Sequence, residues 1–180
     1  MRKILTQIAQ WSAALMGGIA LTACSKVVSF VEEVEIEGKT YRVERNEYFE
    51  KRPIELQWRD WWLESEITIK ELGLPPWRGE LSPMYIGKAN NGQLVLVAVI
   101  QYDKTWLERG KPPNWYVAFT VDKNNRWIEF PVPSEFAGRK ASFLMAAHTR
   151  EEKKLITKAD RDFRNKISAE GRLGTIVLKP

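Results

Sequence analysis

The sequence predicts an α+β fold: mostly an antiparallel β-meander sheet, with a helix near residues 58–72 and a C-terminal helix near 149–167. Three observations carry this. Apolar and polar residues alternate in runs separated by turn residues, the period-2 signature of strands. Two other stretches repeat their apolar residues at helical spacing. The strand runs and helix runs do not alternate strictly, which favours α+β over α/β.

The first strands are expected as a hairpin over 31–45. Val34 and Ile36 alternate with Glu33, Glu35 and Glu37. Gly38-Lys39 fits a two-residue type II′ turn with glycine first. That register sets Ile36 opposite Tyr41, Val34 opposite Val43, and Glu35 opposite Arg42. The acidic run Glu32, Glu33, Glu35, Glu37 reads as a solvated strand face. The helix over 58–72 rests on a stripe of Trp58, Trp61, Trp62, Ile69 and Leu72. It is closed by Gly73-Leu74-Pro75-Pro76, a glycine to end the helix and prolines that cannot continue it.

Residues 84–132 predict the meander. Asn91-Gly92 is a hairpin turn. Leu94 to Ile100 is an unbroken apolar run, as in a strand buried on both faces. Trp115–Val121 and Trp127–Val132 follow, joined by Asp122-Lys123-Asn124-Asn125. Between Asp103 and Asn114 lies a loop longer than hairpins need, and long ordered loops are often functional. Thr149 with Glu152 forms a capping box for the last helix, whose apolar face is Ile156, Ala159, Phe163 and Ile167. Thr175 to Leu178 fits a closing strand.

The chain begins Met1-Arg2-Lys3, continues through an apolar stretch purest from Ala13 to Ala23, and reaches Leu21-Thr22-Ala23-Cys24. A cationic start, an apolar run and small residues at the cut form a secretory signal. The run is too short and too interrupted by Thr6, Gln7 and Gln10 for a membrane span. Leu-Thr-Ala-Cys resembles the lipobox of bacterial lipoproteins. The resemblance covers residues 1–24 alone. It implies cleavage between Ala23 and Cys24, a diacylglycerol on the Cys24 thiol, and acylation of the new amine. Two or more chains hold a protein on a bilayer where one lets go. Ser25 after the cysteine resembles an outer-membrane signal.

The expected organisation is therefore a removed signal over 1–23, a lipidated N-terminus and short tether over 24–30, and one domain over 31–180. Removing Arg2 and Lys3 with the signal leaves 26 basic against 23 acidic residues, a charge of +3 over 157 residues. The signs are interspersed, which is a solvated surface and not a nucleic-acid stripe. Cys24 is the only cysteine. Its lipidation leaves no thiol for a disulfide, so the fold must rest on packing.

Most catalytic chemistries lack their residues. The one histidine, His148, cannot make a usual zinc site and has no Gly-x-Ser-x-Gly partner motif. No Gly-x-Gly-x-x-Gly or Walker loop is present. Asp60 and Glu64 beside Trp61 are the best carboxylate pair for glycoside hydrolysis, and with 23 acids some such pair is inevitable. No catalytic residue, metal or cofactor is assigned. Tryptophan is the oddity, with seven in the mature chain. Trp58, Trp61, Trp115 and Trp127 fit periodic faces and are assigned to the core, with Trp62 at a margin. Trp77, after two prolines, and Trp106, in the long loop, fit no face. With Leu107, Arg109 and Lys111 they form the expected contact surface, because exposed Trp anchors protein partners. The expectation is a non-enzymatic envelope lipoprotein of the outer membrane that binds a protein partner. A glycan-binding or glycan-cleaving envelope protein and a purely structural envelope component are the alternatives.

Overall fold

The computed structural model describes residues 25–54, 57–112, 114–145, 154–167 and 176–177. Cys24, His148 and the Thr149–Glu152 capping box lie outside them. The fold is α+β, dominated by antiparallel sheet. Among the described residues, nine strands form two sheets: β1 (Ser25–Ile36), β2 (Lys39–Ile54), β3 (Gln57–Thr68), β4 (Trp77–Gly79), β5 (Ser82–Lys88), β6 (Leu94–Val99), β7 (Tyr116–Val121), β8 (Trp127–Phe130) and β9 (Leu155–Ile156). The first sheet runs β4-β3-β2-β1-β9, and the second is the meander β5-β6-β7-β8. Helix α1 (Asp103–Glu108) precedes β7, and α2 (Lys158–Ile167) follows β9.

The hairpin forms, with a different turn. Glu37 and Gly38 both have positive φ, 50° and 77°, the pattern of a type I′ turn. Val34 faces Tyr41, and Glu32 faces Val43. The slip moves each partner by two residues, so the faces stay as expected: Val34, Ile36 and Val43 are buried. The strands also outrun the expected boundaries. Ser25–Phe30 is already strand, with Val28 and Phe30 buried. Among the described residues, strand therefore reaches back to Ser25, ahead of residue 31, because the apolar alternation continues back through 30 and 28.

The helix over 58–72 is corrected to strand β3. Its residues pair with β2 from Glu44 to Ile54. A register irregularity opposite Tyr48/Phe49 puts Trp62 on the same buried face as Ser65 and Ile67. A strand with one extra residue so mimics helical spacing. Only Lys70–Leu72 coils, as a 3-10 turn, ended by Gly73 at φ 63° with its N–H bonded to the Lys70 carbonyl.

The meander is as expected. The β5–β6 loop places Gly92 at φ 82° and closes with Ala89 N–H to Gln93 O at 2.8 Å. One core lies between the sheets, around Val34, Val43, Ile67, Trp77, Leu96, Phe119 and Phe143. A second covers the other face of the meander, around Met84, Val95, Val97, Phe136 and Met145. Strand β6 is thus buried on both faces. A third, around Phe30, Phe49, Trp62 and Leu144, lies toward the Ser25 end of the first sheet.

The last helix is shorter than expected and inverted. Thr157 and Asp160 make the capping box, with Asp160 N–H to Thr157 Oγ1 at 3.2 Å and Thr157 N–H to Asp160 Oδ2 at 3.3 Å. Residues 155–156 belong to β9, parallel to β1. Phe163, expected inside, is 65% exposed, while Arg161 and Asn165 are buried. Their polar groups bond to backbone of β1 and of the 142–145 segment. Arg161 donates to the Glu33 and Ser142 carbonyls. Asn165 donates to Phe143 O and accepts from Met145 N–H, each at 2.9 Å. Of the expected strand over 175–178, only Ile176 and Val177 are described, and neither is strand. Ile176 is buried and exchanges backbone hydrogen bonds with Gly138 and Arg139.

Candidate functional site

Two places carry more than packing. The first is a cleft of about 220 Å³ whose floor is a buried ionic network. Arg45 (β2) stands on the inner face of the first sheet, 1% exposed. Its Nη1 donates to Glu32 Oε1 at 3.0 Å and to the Leu144 carbonyl at 2.9 Å, and its Nε donates to Glu47 Oε1. Glu32 Oε2 accepts from Leu144 N–H at 2.8 Å. Glu47 Oε2 accepts from Ser65 Oγ at 2.7 Å and from Trp62 Nε1. The acidic run was expected to be solvated throughout. Glu32 is the correction: it shares the even-numbered face with Val28, Phe30, Val34 and Ile36, and is fully buried. Burial pushes its carboxyl above the ordinary carboxylate range, with Arg45 pulling the other way. For Arg45, burial opposes the charge, but Glu47 and Glu32 outweigh it and hold the guanidinium above its ordinary value.

All four carboxylate oxygens here have a donor. The arrangement suits bracing the 142–145 segment. The cleft walls are Phe49, Trp61, Trp62 and Tyr102, with Asp60, Ser82 and Gln101 around them. Trp61 stacks on Tyr102, centroids 5.1 Å apart at 17°, and the Arg52 guanidinium lies 5.0 Å from the Trp61 centroid. Both groups lie against the indole a sugar would use. The pair Asp60 and Glu64 does not form a couple: Asp60 meets Lys26 at 3.2 Å, and Glu64 meets Arg78. Among the described residues, no three His, Cys, Asp or Glu are grouped to hold a metal ion.

The second place is the 103–114 segment. Its first half is helix α1, not loop. Gly110 and Lys111, at φ 74° and 58°, turn the chain back, and Lys111 N–H bonds to Trp106 O at 3.0 Å. Trp106 is half-buried against the inter-sheet core, its Nε1 donating to Pro112 O at 3.0 Å. Its ring stacks on Trp115, centroids 5.4 Å apart and 11° from parallel. Leu107 is 52% and Trp115 37% exposed. Arg109 pairs with Glu129, and Lys111 is exposed.

No family model, curated protein or solved structure matches this chain.

Four of the five expected surface residues, Trp106, Leu107, Arg109 and Lys111, thus share one segment. Trp77 does not belong with them. It is 2% exposed, edge-on to Phe119 at 5.4 Å and 64°, because β4 adds to the edge of β3 and turns the ring inward. Trp115 takes its place. It was assigned to the core with β7, but β7 begins only at Tyr116. Trp127 is half-buried, with Nε1 to Pro75 O at 2.9 Å. The missed residues are Glu32, Arg45 and Glu47. Their signal was present in the sequence, as charges standing at positions of the apolar alternation. Among the described residues, no helix is long and apolar enough to cross a membrane.

Proposed function

We propose that this chain is a lipid-anchored protein of the bacterial outer membrane that works by holding a protein partner and not by catalysis. The anchor is the lipid on Cys24. The observation that carries the partner reading is the Trp106–Trp115 stack with Leu107 beside it in sequence. It is a stiff aromatic platform, half inside the core and half in water, with Lys111 and the Arg109–Glu129 pair on the same segment. Interface anchors are of this kind: aromatic, rigid, and flanked by polar groups. Beginning β1 at Ser25 leaves no length for a tether, which supports work close to the bilayer.

The expected result is that Leu107→Glu or Trp115→Ala lowers in-cell photo-cross-linking to the partner by about tenfold, the loss of one good anchor contact. Melting should stay unchanged in Leu107→Glu and fall by a few degrees in Trp115→Ala, which loses an aromatic stack. Undiminished cross-linking in both variants would remove this surface. Binding to purified sacculi that survives both would move the assignment to glycan. For the anchor, Cys24→Ala should give an uncleaved or soluble form that incorporates no labelled palmitate. Persistent labelling would overturn the localisation.

A further inference from the structure

We infer that the cleft over Arg45 is a binding site for a small uncharged molecule that carries a carbonyl oxygen on a flat ring, with that oxygen accepting from Arg45 Nη2. The inference rests neither on the partner surface nor on the anchor.

The floor supplies the donor. Arg45 lines the cleft and is 1% exposed. A guanidinium holds five N–H groups in a fixed fork. Nε and Nη1 are engaged by Glu47, Glu32 and the Leu144 carbonyl. Among the described residues Nη2 meets no acceptor, and the one sealed side-chain nitrogen or oxygen without a partner is Arg164 Nη1. Nη2 therefore opens on the cleft. A donor at this depth is poorly hydrated, so an acceptor that reaches it displaces little.

The charges select an uncharged ligand. Glu32 and Glu47 share the one guanidinium, so an anion brought to Nη2 would lie beside two carboxylates. A cation would face N–H groups, because the carboxylate oxygens are engaged. Around the cleft, Asp60 pairs with Lys26 and Arg52 with Glu50. An ion entering here loses its hydration and finds no unopposed counter-charge. A carbonyl group accepts the same hydrogen bond without that cost.

The walls and the size select the rest. Phe49 and Trp62 are buried in the wall, and Trp61 and Tyr102 are half-buried. Trp61 is held by Tyr102 and Arg52. Stiff aromatic walls suit a rigid ring, which orders few torsions on binding. About 220 Å³ is below the roughly 300 Å³ at which drug-sized pockets begin, so the ligand is one ring with its substituent. Ser82 and Gln101 complete the lining. The Ser82 hydroxyl and the Gln101 amide each donate and accept, which matches an amide better than a ketone.

The test titrates the full chain with benzamide, toluene, benzoate and benzylammonium, which share a ring and differ in acceptor and charge. The readouts are the indole N–H resonances of Trp61 and Trp62 and the dissociation constants. Benzamide should bind in the millimolar range of a fragment and shift the Trp62 resonance. The other three should bind at least about tenfold more weakly, the loss of one good polar contact. Gln101→Trp fills the mouth at an exposed position. It should weaken benzamide by about tenfold and leave melting in place, as a surface substitution does. No benzamide binding overturns the site. Toluene or either ion binding as tightly as benzamide overturns the ligand class. Benzamide binding that Gln101→Trp leaves unchanged, or that moves other tryptophan resonances and not that of Trp62, overturns the location.

Discussion

Arg45→Met should be among the most damaging single substitutions in this protein, costing about 3–5 kcal/mol, the usual cost of removing one partner from a buried ion pair. It strips the shared cation from Glu32 and Glu47 and leaves the Leu144 carbonyl without its donor. The loss should depend on pH. Burial already raises the Glu32 carboxyl. A raised acid contributes stability that is present below its unfolded value, about 4.3, and lost as pH rises through the folded one. Without Arg45 to oppose burial, that window extends upward. Urea denaturation of Arg45→Met should therefore show recovery on going from pH 7 to pH 5. A variant equally stable at both, or worse at pH 5, would refute a buried charge at Glu32. Apolar replacement of all three charges should not restore full stability. Leu144 N–H and C=O, Trp62 Nε1 and Ser65 Oγ would lose their partners, at about 1–3 kcal/mol for each buried group left unmade.

Trp77→Ala should be comparably severe, about 3–5 kcal/mol for a large aromatic core residue. The indole fills the space between the sheets edge-on to Phe119. It also lies over Gly79, where an added Cβ would stand 3.2 Å from Trp77 Cζ2, so no neighbouring side chain waits to fill the void. For a domain of this size the loss corresponds to a melting shift of roughly 6–20 °C. Melting within a degree or two of wild type would return Trp77 to the surface. Any fall in partner capture by Trp77→Ala should track unfolded protein, whereas Leu107→Glu should lower capture without moving the melt.

The meander was legible because its signals agree at every level: turn residues, apolar runs and strand formers. The hairpin faces survived a wrong turn because a two-residue slip keeps every side chain on its side. The β3 segment misled because Trp58, Trp61 and Trp62 satisfy helical spacing, and also a strand with one irregular residue. What decided between them was pairing with β2, a long-range fact that no local window contains. Helix α2 misled for the opposite reason. Amphipathic reading assumes that apolar residues face inward, but here the buried side is Arg161 and Asn165, recruited by unpaired carbonyls of the 142–143 segment. The proposed contact surface was half legible. The 103–114 segment stood out by composition, while the burial of Trp77 and the exposure of Trp115 depend on where β4 and β7 begin.

The brace between Arg45, Glu32 and Leu144 also sets an order of events. Its partners lie 99 and 112 residues apart in the chain, and Arg161 reaches Glu33 across 128. Strand β1 is the first of the described strands in sequence, so it is made before every partner that caps it. It is also among the last to be completed, since its charges stay uncapped until residues 142–165 arrive. Such distant closures belong to slow-folding topologies, in the range of milliseconds to seconds. During that interval β1 is an open edge, and shielding it is a task for whatever meets the chain on emergence.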